Sequence, residues 1–391
     1  GVLWSAGEPG VLAARVAASV VDAGDEKSLM QAMRFCRHRE MIRIIWRDIN
    51  RLAPLAEVMR DLTELADASI DVALAKLWPW TTATWGVPQD RDGRRMPMMV
   101  FAMGKHGAGE LNLSSDIDLM FSFDEEGETK GGSRSISHEE FFTRIGQKLI
   151  KTLNENTADG FVFRVDMRLR PWGDAGALAM SSAAMEGYYE QQGREWERYA
   201  MVKARAVGRD RGHGQQLLDA LRPFVYRRYV DFGVIESLRE MKGMIEREVL
   251  RRGNDGNIKT GAGGIREIEF ILQALQLIRG GQEKRLRDTS TLRVMDAVDA
   301  LALLPPGSID DLRRSYVFLR EVEHRIQAQR DRQTQTLATD DLPCLRLAYS
   351  MGYPDWASFF QALSQVRDTV SGHFKAFIAS DEQSEEARRV P

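Results

Sequence analysis

Two aspartates set two residues apart inside an apolar run constrain this chain more than any other feature. In LSSDIDLMF, Ser115, Ile117, Leu119 and Phe121 alternate with Asp116, Asp118 and Met120. A period of two is that of a β-strand, whose successive side chains leave on opposite faces. Ile117 and Leu119 therefore face a core, and both carboxylates leave together on the other side. Like charges held side by side away from water are costly, so such a pair is stable chiefly where a cation neutralises it. Mg²⁺, with its preference for oxygen ligands, is the natural one. Alone, an Asp-x-Asp pair is more often a solvated strand edge.

The neighbouring segments change that balance. The apolar run Met96 to Met103 reads as a buried strand that ends in Gly104 and Lys105, and Asp116 follows after ten further residues. Glycine directly after a strand lets backbone amides approach a phosphate chain closely. Downstream, FVFRVDMRLRP places Phe161, Phe163, Val165, Met167 and Leu169 on one strand face and Arg164, Asp166, Arg168 and Arg170 on the other. A third carboxylate among three arginines suits a site where metal ions and anionic phosphates meet. Asp166 would complete the metal cage, and an arginine would bind phosphate oxygens bidentately. Between the strands, Ser137 and Glu140 form a capping signature, and Phe141, Ile145, Leu149 and Leu153 follow on one helical face.

The 391 residues, 43% of them hydrophobic, leave room for two or three domains. The pattern divides into a helical N-terminal region at 1–92, a catalytic domain at 93–215 and a helical, bundle-like domain at 216–391. In the first, Met30, Met33, Ile42, Ile45 and Ile49 fall at helical spacings. In the last, GAGG at 261–264 opens a helix striped with Ile265, Ile268, Leu272 and Leu275. The formal net charge of -3 offers no basic excess for nucleic acid or a membrane surface. No stretch reaches the roughly 18 apolar residues of a membrane span, and the opening GVLWSAGEPG lacks the charged and apolar regions of a signal peptide. Cys36 and Cys344 make neither a disulfide framework nor a zinc site. A cytoplasmic protein that binds neither nucleic acid nor membrane is expected.

Gly104-Lys105, the ten-residue spacer, DIDL and a distant strand aspartate together resemble the nucleotidyltransferase superfamily of DNA polymerase β. More specifically, GKHGAGELNLSSDIDLMFSF, DGFVFRVDMRLRP, EWERYAMVKARAVG, RPFVYRRYVDF and GAGGIREIEFILQALQLIRGG resemble the glutamine synthetase adenylyltransferases, from about Trp46 to Gly281. The resemblance implies an α+β fold: a nucleotidyltransferase mixed sheet with helices, flanked by a helical N-terminal region and a helical C-terminal domain. It implies Asp116, Asp118 and Asp166 as catalytic ligands of two Mg²⁺ ions, or of Mn²⁺ in their place. Gly104, Lys105, Ser114, Ser115, Arg164, Arg168 and Arg170 become nucleotide and phosphate contacts.

Proteins of this family carry two such units. The first, deadenylylating unit typically has SSDIDL and GAGGIREIEF; the second, adenylylating unit has GSDLDL and an acidic residue before its GG-I-x-[DE]-IEF. Ser114, Ser115, Ala262 and Arg266 follow the first pattern. The implied reaction is phosphorolysis: phosphate attacks AMP-tyrosine on glutamine synthetase, giving ADP and free tyrosine. The implied partners are adenylylated glutamine synthetase, the PII signal protein in its uridylylated form, phosphate and ADP. The chain opens on Gly1 rather than Met, and linkage to a second, adenylylating domain is expected. Lys105 stands where glycine or serine is common in the wider superfamily, which leaves open whether Ser114 or Ser115 takes over the phosphate contact of the superfamily serine. His106 stands where an apolar residue is expected. Three alternatives stay open: adenylylation from ATP, a uridylyltransferase acting on PII, and a catalytically inactive domain that binds regulators.

Overall fold

The computed structural model describes residues 3–4, 7–227, 243, 256–328 and 333–389, the side chains of 380–389 excepted. Three helices open the chain: α1 (Val11–Ser19), α2 (Glu26–Ile49) and α3 (Leu55–Trp85). Asp25 caps α2, its side chain accepting from the Ser28 amide at 2.7 Å. The apolar spacing in α2 suggests that Ile42 and Ile49 face inward, and the structure reverses this. Phe35, Ile42, Trp46 and Ile49 are exposed, Ile42 to 63%, whereas Arg34, Arg37, Glu40, Arg43 and Arg47 are buried.

Pairing makes that inversion stable. Arg43 donates to Glu40 at 3.0 Å and to Asp61 of α3 at 2.7 Å, and Arg47 meets Glu57 at 2.7 Å. Arg34 donates to the carbonyls of Gly160 (2.7 Å), Met30 (2.8 Å), Thr152 (3.2 Å) and Glu155. A buried charge left unpaired is prohibitive, but one fully engaged by carboxylates and carbonyls is tolerated.

A five-stranded mixed sheet follows, built from β1 (Met99–Met103), β2 (Asp116–Phe123), β3 (Arg164–Asp166), β4 (Ala179–Ser181) and β5 (Arg205–Val207). The order is β3-β2-β1-β5, and β4 pairs farther along the same side of β2 as β3 does. β1 runs antiparallel to β2 and β5; β3 and β4 run parallel to β2. This mixed sheet with helices around it is the α+β core expected of a nucleotidyltransferase. One turn of helix, α4 (Gly104–Ala108), links β1 toward β2.

Helix α5 (His138–Asn154) covers the sheet with Phe141, Ile145, Leu149 and Leu153, all fully buried. Ser137 Oγ accepts from the Glu140 amide at 3.1 Å, but the Glu140 carboxylate turns to Arg144 at 2.6 Å, so only half of the expected capping box forms.

The strand expected over Phe161–Leu169 shrinks to three residues. Upstream, the amides of Val162 and Phe163 both donate to Leu153 O, at 2.9 and 3.0 Å, tying the chain to the end of α5. Downstream, the Arg168 amide folds back onto Asp166 Oδ1 at 2.8 Å, and a turn replaces the ladder.

Helices α6 (Ser182–Gln192), α7 (Glu195–Met201), α8 (Arg211–Ala220) and α9 (Arg222–Val225) complete this part of the chain. Contacts divide the molecule into Gly1–Leu111 with Ser115–Val225, and Asn112–Ser114 with Tyr226–Pro391. The second unit contains α10 (Ile265–Arg279), α11 (Thr291–Ala300), α12 (Ser308–Ala328), α13 (Asp341–Ser350) and α14 (Trp356–Arg389). The expected stripe of α10, Ile265, Ile268, Leu272 and Leu275, is buried. Residues 228–232 of the RPFVYRRYVDF block lie outside the described residues. No described helix is long and apolar enough to cross a membrane.

Candidate active site

Strand register brings the sequence-predicted carboxylates onto one face. Asp116 and Asp118 alternate with buried Ile117 and Leu119 on β2. Across the parallel pair, Asp116 stands beside Arg164 and Asp118 beside Asp166. Register partners in adjacent strands share a face, so three carboxylates and one guanidinium project together. On the other flank Asp118 is the partner of Met103, the last residue of β1. Gly104 follows with φ +54, and a Cβ built there would lie 2.7 Å from Asp118 Oδ2. Only glycine takes this left-handed backbone without strain, and here its missing side chain also makes room for the carboxylate.

The arginines divide by what they touch. Arg168 clamps Asp166, with Nε 2.9 Å and Nη2 2.5 Å from Oδ2, and remains 72% exposed. This hydrogen-bonded pairing outweighs burial and holds the Asp166 carboxyl below its ordinary range. Arg164 lies 5.0 Å from the centroid of Phe161, which also meets Arg37 at 4.8 Å. Arg170 turns the other way and donates to Met167 O at 2.7 Å and Gly176 O at 3.3 Å, bracing the turn after β3. In that turn Trp172 is left-handed at φ 58 and lies edge-on to Tyr188 at 4.4 Å. Tyr188 donates to Glu197 at 2.6 Å; burial and then this bond raise its phenol above the usual range. Ser114 is buried, and its amide donates to Gln327 Oε1 of α12 at 2.9 Å. Ser115 and Lys105 are half-buried.

Among the described residues, no three His, Cys, Asp or Glu side chains close into a metal-binding group. The donors themselves fit a hard divalent cation. They are acceptor-only oxygens in register on two strands, and Asp166 already engages a cation, the Arg168 guanidinium.

One group of site neighbours escapes a motif search. Asp67 of α3 binds His106 Nε2 at 2.7 Å and Arg205 Nη1 at 2.8 Å, directly behind α4. An acidic residue in a helix carries no signal of such a role; His106, out of pattern, is the one trace in the sequence. Arg205, at the end of the EWERYAMVKAR stretch, lies on β5 and is turned to Asp67.

A family model described as glutamate-ammonia ligase adenylyltransferase matches residues 3–220, which include all three aspartates. A model described as GlnD PII-uridylyltransferase matches residues 239–378, which include none of them. The bifunctional glutamine synthetase adenylyltransferase/adenylyl-removing enzyme of Pseudomonas aeruginosa is 52% identical over 96% of this chain. Those of Hahella chejuensis and Nitrosococcus oceani are 51% and 50% identical over 90% and 97% of it. The chain spans 38%, 37% and 39% of the lengths of these three relatives.

Proposed function

The chain belongs to the glutamate-ammonia ligase adenylyltransferase family, and on that premise we propose that it removes AMP from adenylylated glutamine synthetase by phosphorolysis. An oxygen of inorganic phosphate attacks the phosphorus of AMP-tyrosine, the bond from phosphorus to the phenolic oxygen breaks, and ADP and free tyrosine result. The observation that carries this reading is the register of Asp118 with both Asp166 and the end of β1, which gathers carboxylates at a turn where Gly104 permits close approach. The direction rests on SSDIDL at 114–119 and GAGGIREIEF at 261–270, the pattern of the deadenylylating unit. The uridylyltransferase reading is disfavoured because the matching model lies outside the aspartates.

Asp116, Asp118 and Asp166 would hold two divalent ions, Mg²⁺ or Mn²⁺. Such ions neutralise the two reacting anions and stabilise a departing phenolate. Arg164, the register partner of Asp116, would hold a phosphoryl oxygen bidentately. Arg168 lowers the pKa of the Asp166 carboxyl further and, if released from it, would donate hydrogen bonds to a phosphate oxygen. Gly104 and Lys105 line the phosphate side. A tyrosine phenol, with an ordinary pKa near 10, leaves with less proton donation than an alkyl alcohol requires, so no general acid has to be assigned. The uridylylated PII protein is the proposed activator.

The test is to incubate the chain with adenylylated glutamine synthetase, phosphate, Mg²⁺ or Mn²⁺ and uridylylated PII, and to identify the nucleotide released. Phosphate-dependent ADP supports the proposal. Transfer of AMP from ATP to unmodified glutamine synthetase assigns the opposite direction, and neither activity leaves a regulatory domain.

A further inference from the structure

His106 is fully buried at a position where the pattern asks for an apolar side chain. Its Nε2 lies 2.7 Å from Asp67 Oδ1, and its Nδ1 is buried without a hydrogen-bond partner. Burial pushes the Asp67 carboxyl up, but the hydrogen bond and charge of His106, with those of Arg205, outweigh it and bring it down to about 2. Asp67 is therefore an ionised, acceptor-only group, and Nε2 must carry the proton between them.

Arg205 closes the loop. It donates to Asp67 through Nη1 at 2.8 Å and Nη2 at 3.1 Å, to His106 O at 3.0 Å and to Gly107 O at 3.2 Å. One residue, His106, is thus held by its ring and by its carbonyl at the same time, which fixes the rotation of α4 against α3 and β5. Next to it, a Cβ on Gly107 would sit 1.8 Å from Lys203 O and 2.5 Å from Ala102 O, so α4 has no slack toward the sheet. Its other end, Gly104, abuts Asp118.

We propose that Asp67, His106 and Arg205 are positioning residues: a clamp behind α4 that sets where the Gly104–Lys105 turn stands against Asp118, and thereby how tightly phosphate groups are held. The clamp touches no reactant. It makes the N-terminal helical layer part of the machinery, because its acidic member comes from α3. The proposal rests on the phosphorolytic reading for its phosphate readout, and the test separates the two.

His106→Leu keeps the bulk and loses the donor; His106→Gln keeps a donor of similar reach; Asp67→Asn loses the charge. His106→Leu and Asp67→Asn are expected to raise the KM for phosphate on the order of tenfold while kcat falls less than about threefold. His106→Gln should recover most of that loss, and the His106→Leu/Asp67→Asn double variant should be no worse than about the poorer single, as for groups acting as a unit. Unchanged KM and kcat with a lowered melting temperature would overturn the proposal, as would equal impairment by Gln and Leu. If the wild-type chain itself releases no ADP, the reaction reading fails independently. The clamp is then judged by calorimetric binding of Mg-ADP: a loss of affinity of about fivefold or more in His106→Leu supports it, and unchanged affinity overturns it.

Discussion

Replacing Gly104 by alanine separates site geometry from fold stability. At φ +54 an alanine costs about 1 kcal/mol in backbone strain. Its Cβ would lie 2.7 Å from Asp118 Oδ2, where ordinary contact begins at 3.4 Å, so one of them must give way. The atom in the way ends a side chain, and the carboxylate can swing without moving β2. The total cost to stability is therefore roughly 1–2 kcal/mol, a fall in melting temperature of about 2–8 °C for a unit of this size. The carboxylate, however, moves by most of an ångström at the centre of the proposed metal site, and a misplacement of that size costs on the order of 100-fold in rate. Steady-state ADP release and a thermal melt on the same preparation check both figures. Activity within about threefold of wild type, with the melt lowered as expected, would refute the placement of Asp118 among the reacting groups.

Asp116→Asn, Asp118→Asn and Asp166→Asn are each expected to lower ADP release by about 1,000-fold or more while circular dichroism stays that of the wild type, since a neutral amide is a poor ligand for a hard ion; full activity in any one removes that residue from the metal site. Arg43→Met strips a buried partner from both Glu40 and Asp61 and should destabilise by roughly 3–5 kcal/mol, read as a drop in melting temperature near 10 °C; a change under about 3 °C would contradict the inverted packing of α2. Asp67 has a folded pKa near 2 against 3.8 unfolded, so its contribution is fully present above pH 3.8 and is lost as pH falls through 2. Its side chain keeps 28% of its exposure, which limits the effect to about 1–2 kcal/mol. The stability gap between wild type and Asp67→Asn in urea should accordingly close between pH 4 and pH 2, and a gap that widens in acid would reverse the sign.

How much of this could be read in advance depended on whether one physical force governed each segment. In α5 burial decides which side chains turn inward, and the fourfold spacing of Phe141, Ile145, Leu149 and Leu153 located it; in β2 the alternation of Ile117 and Leu119 located the strand, which begins at Asp116 rather than at Leu111 and buries Met120 and Ser122 on the aspartate face as well. In β3 two forces compete. The alternation runs on past Asp166, but the ties of Val162 and Phe163 to Leu153 and the fold-back of the Arg168 amide cut the ladder short. β4 and β5, three residues each, are too brief for any period to show.

Helix α2 misleads for a different reason. Its arginines are buried because carboxylates of α3 and carbonyls of the 152–160 segment receive them, and those partners are remote in sequence. Of its apolar residues at helical spacing, Met33 is buried while Ile42 and Ile49 are exposed. The candidate site follows the same division. Its carboxylates announce themselves by spacing on their own strands, whereas Asp67 becomes visible only when α3 is laid behind α4.

In the proposed reaction phosphate, not water, is the nucleophile at these carboxylates. Supplying phosphate labelled with ¹⁸O at all four oxygens, together with adenylylated glutamine synthetase, and weighing the nucleotide product tests it most directly. Phosphorolysis yields ADP carrying all four labelled oxygens, three on the terminal phosphoryl group and one in the bridge to the α-phosphorus, formed by the wild-type chain and lost in Asp118→Asn. Unlabelled AMP released at the same rate with and without phosphate would show hydrolysis instead and contradict it.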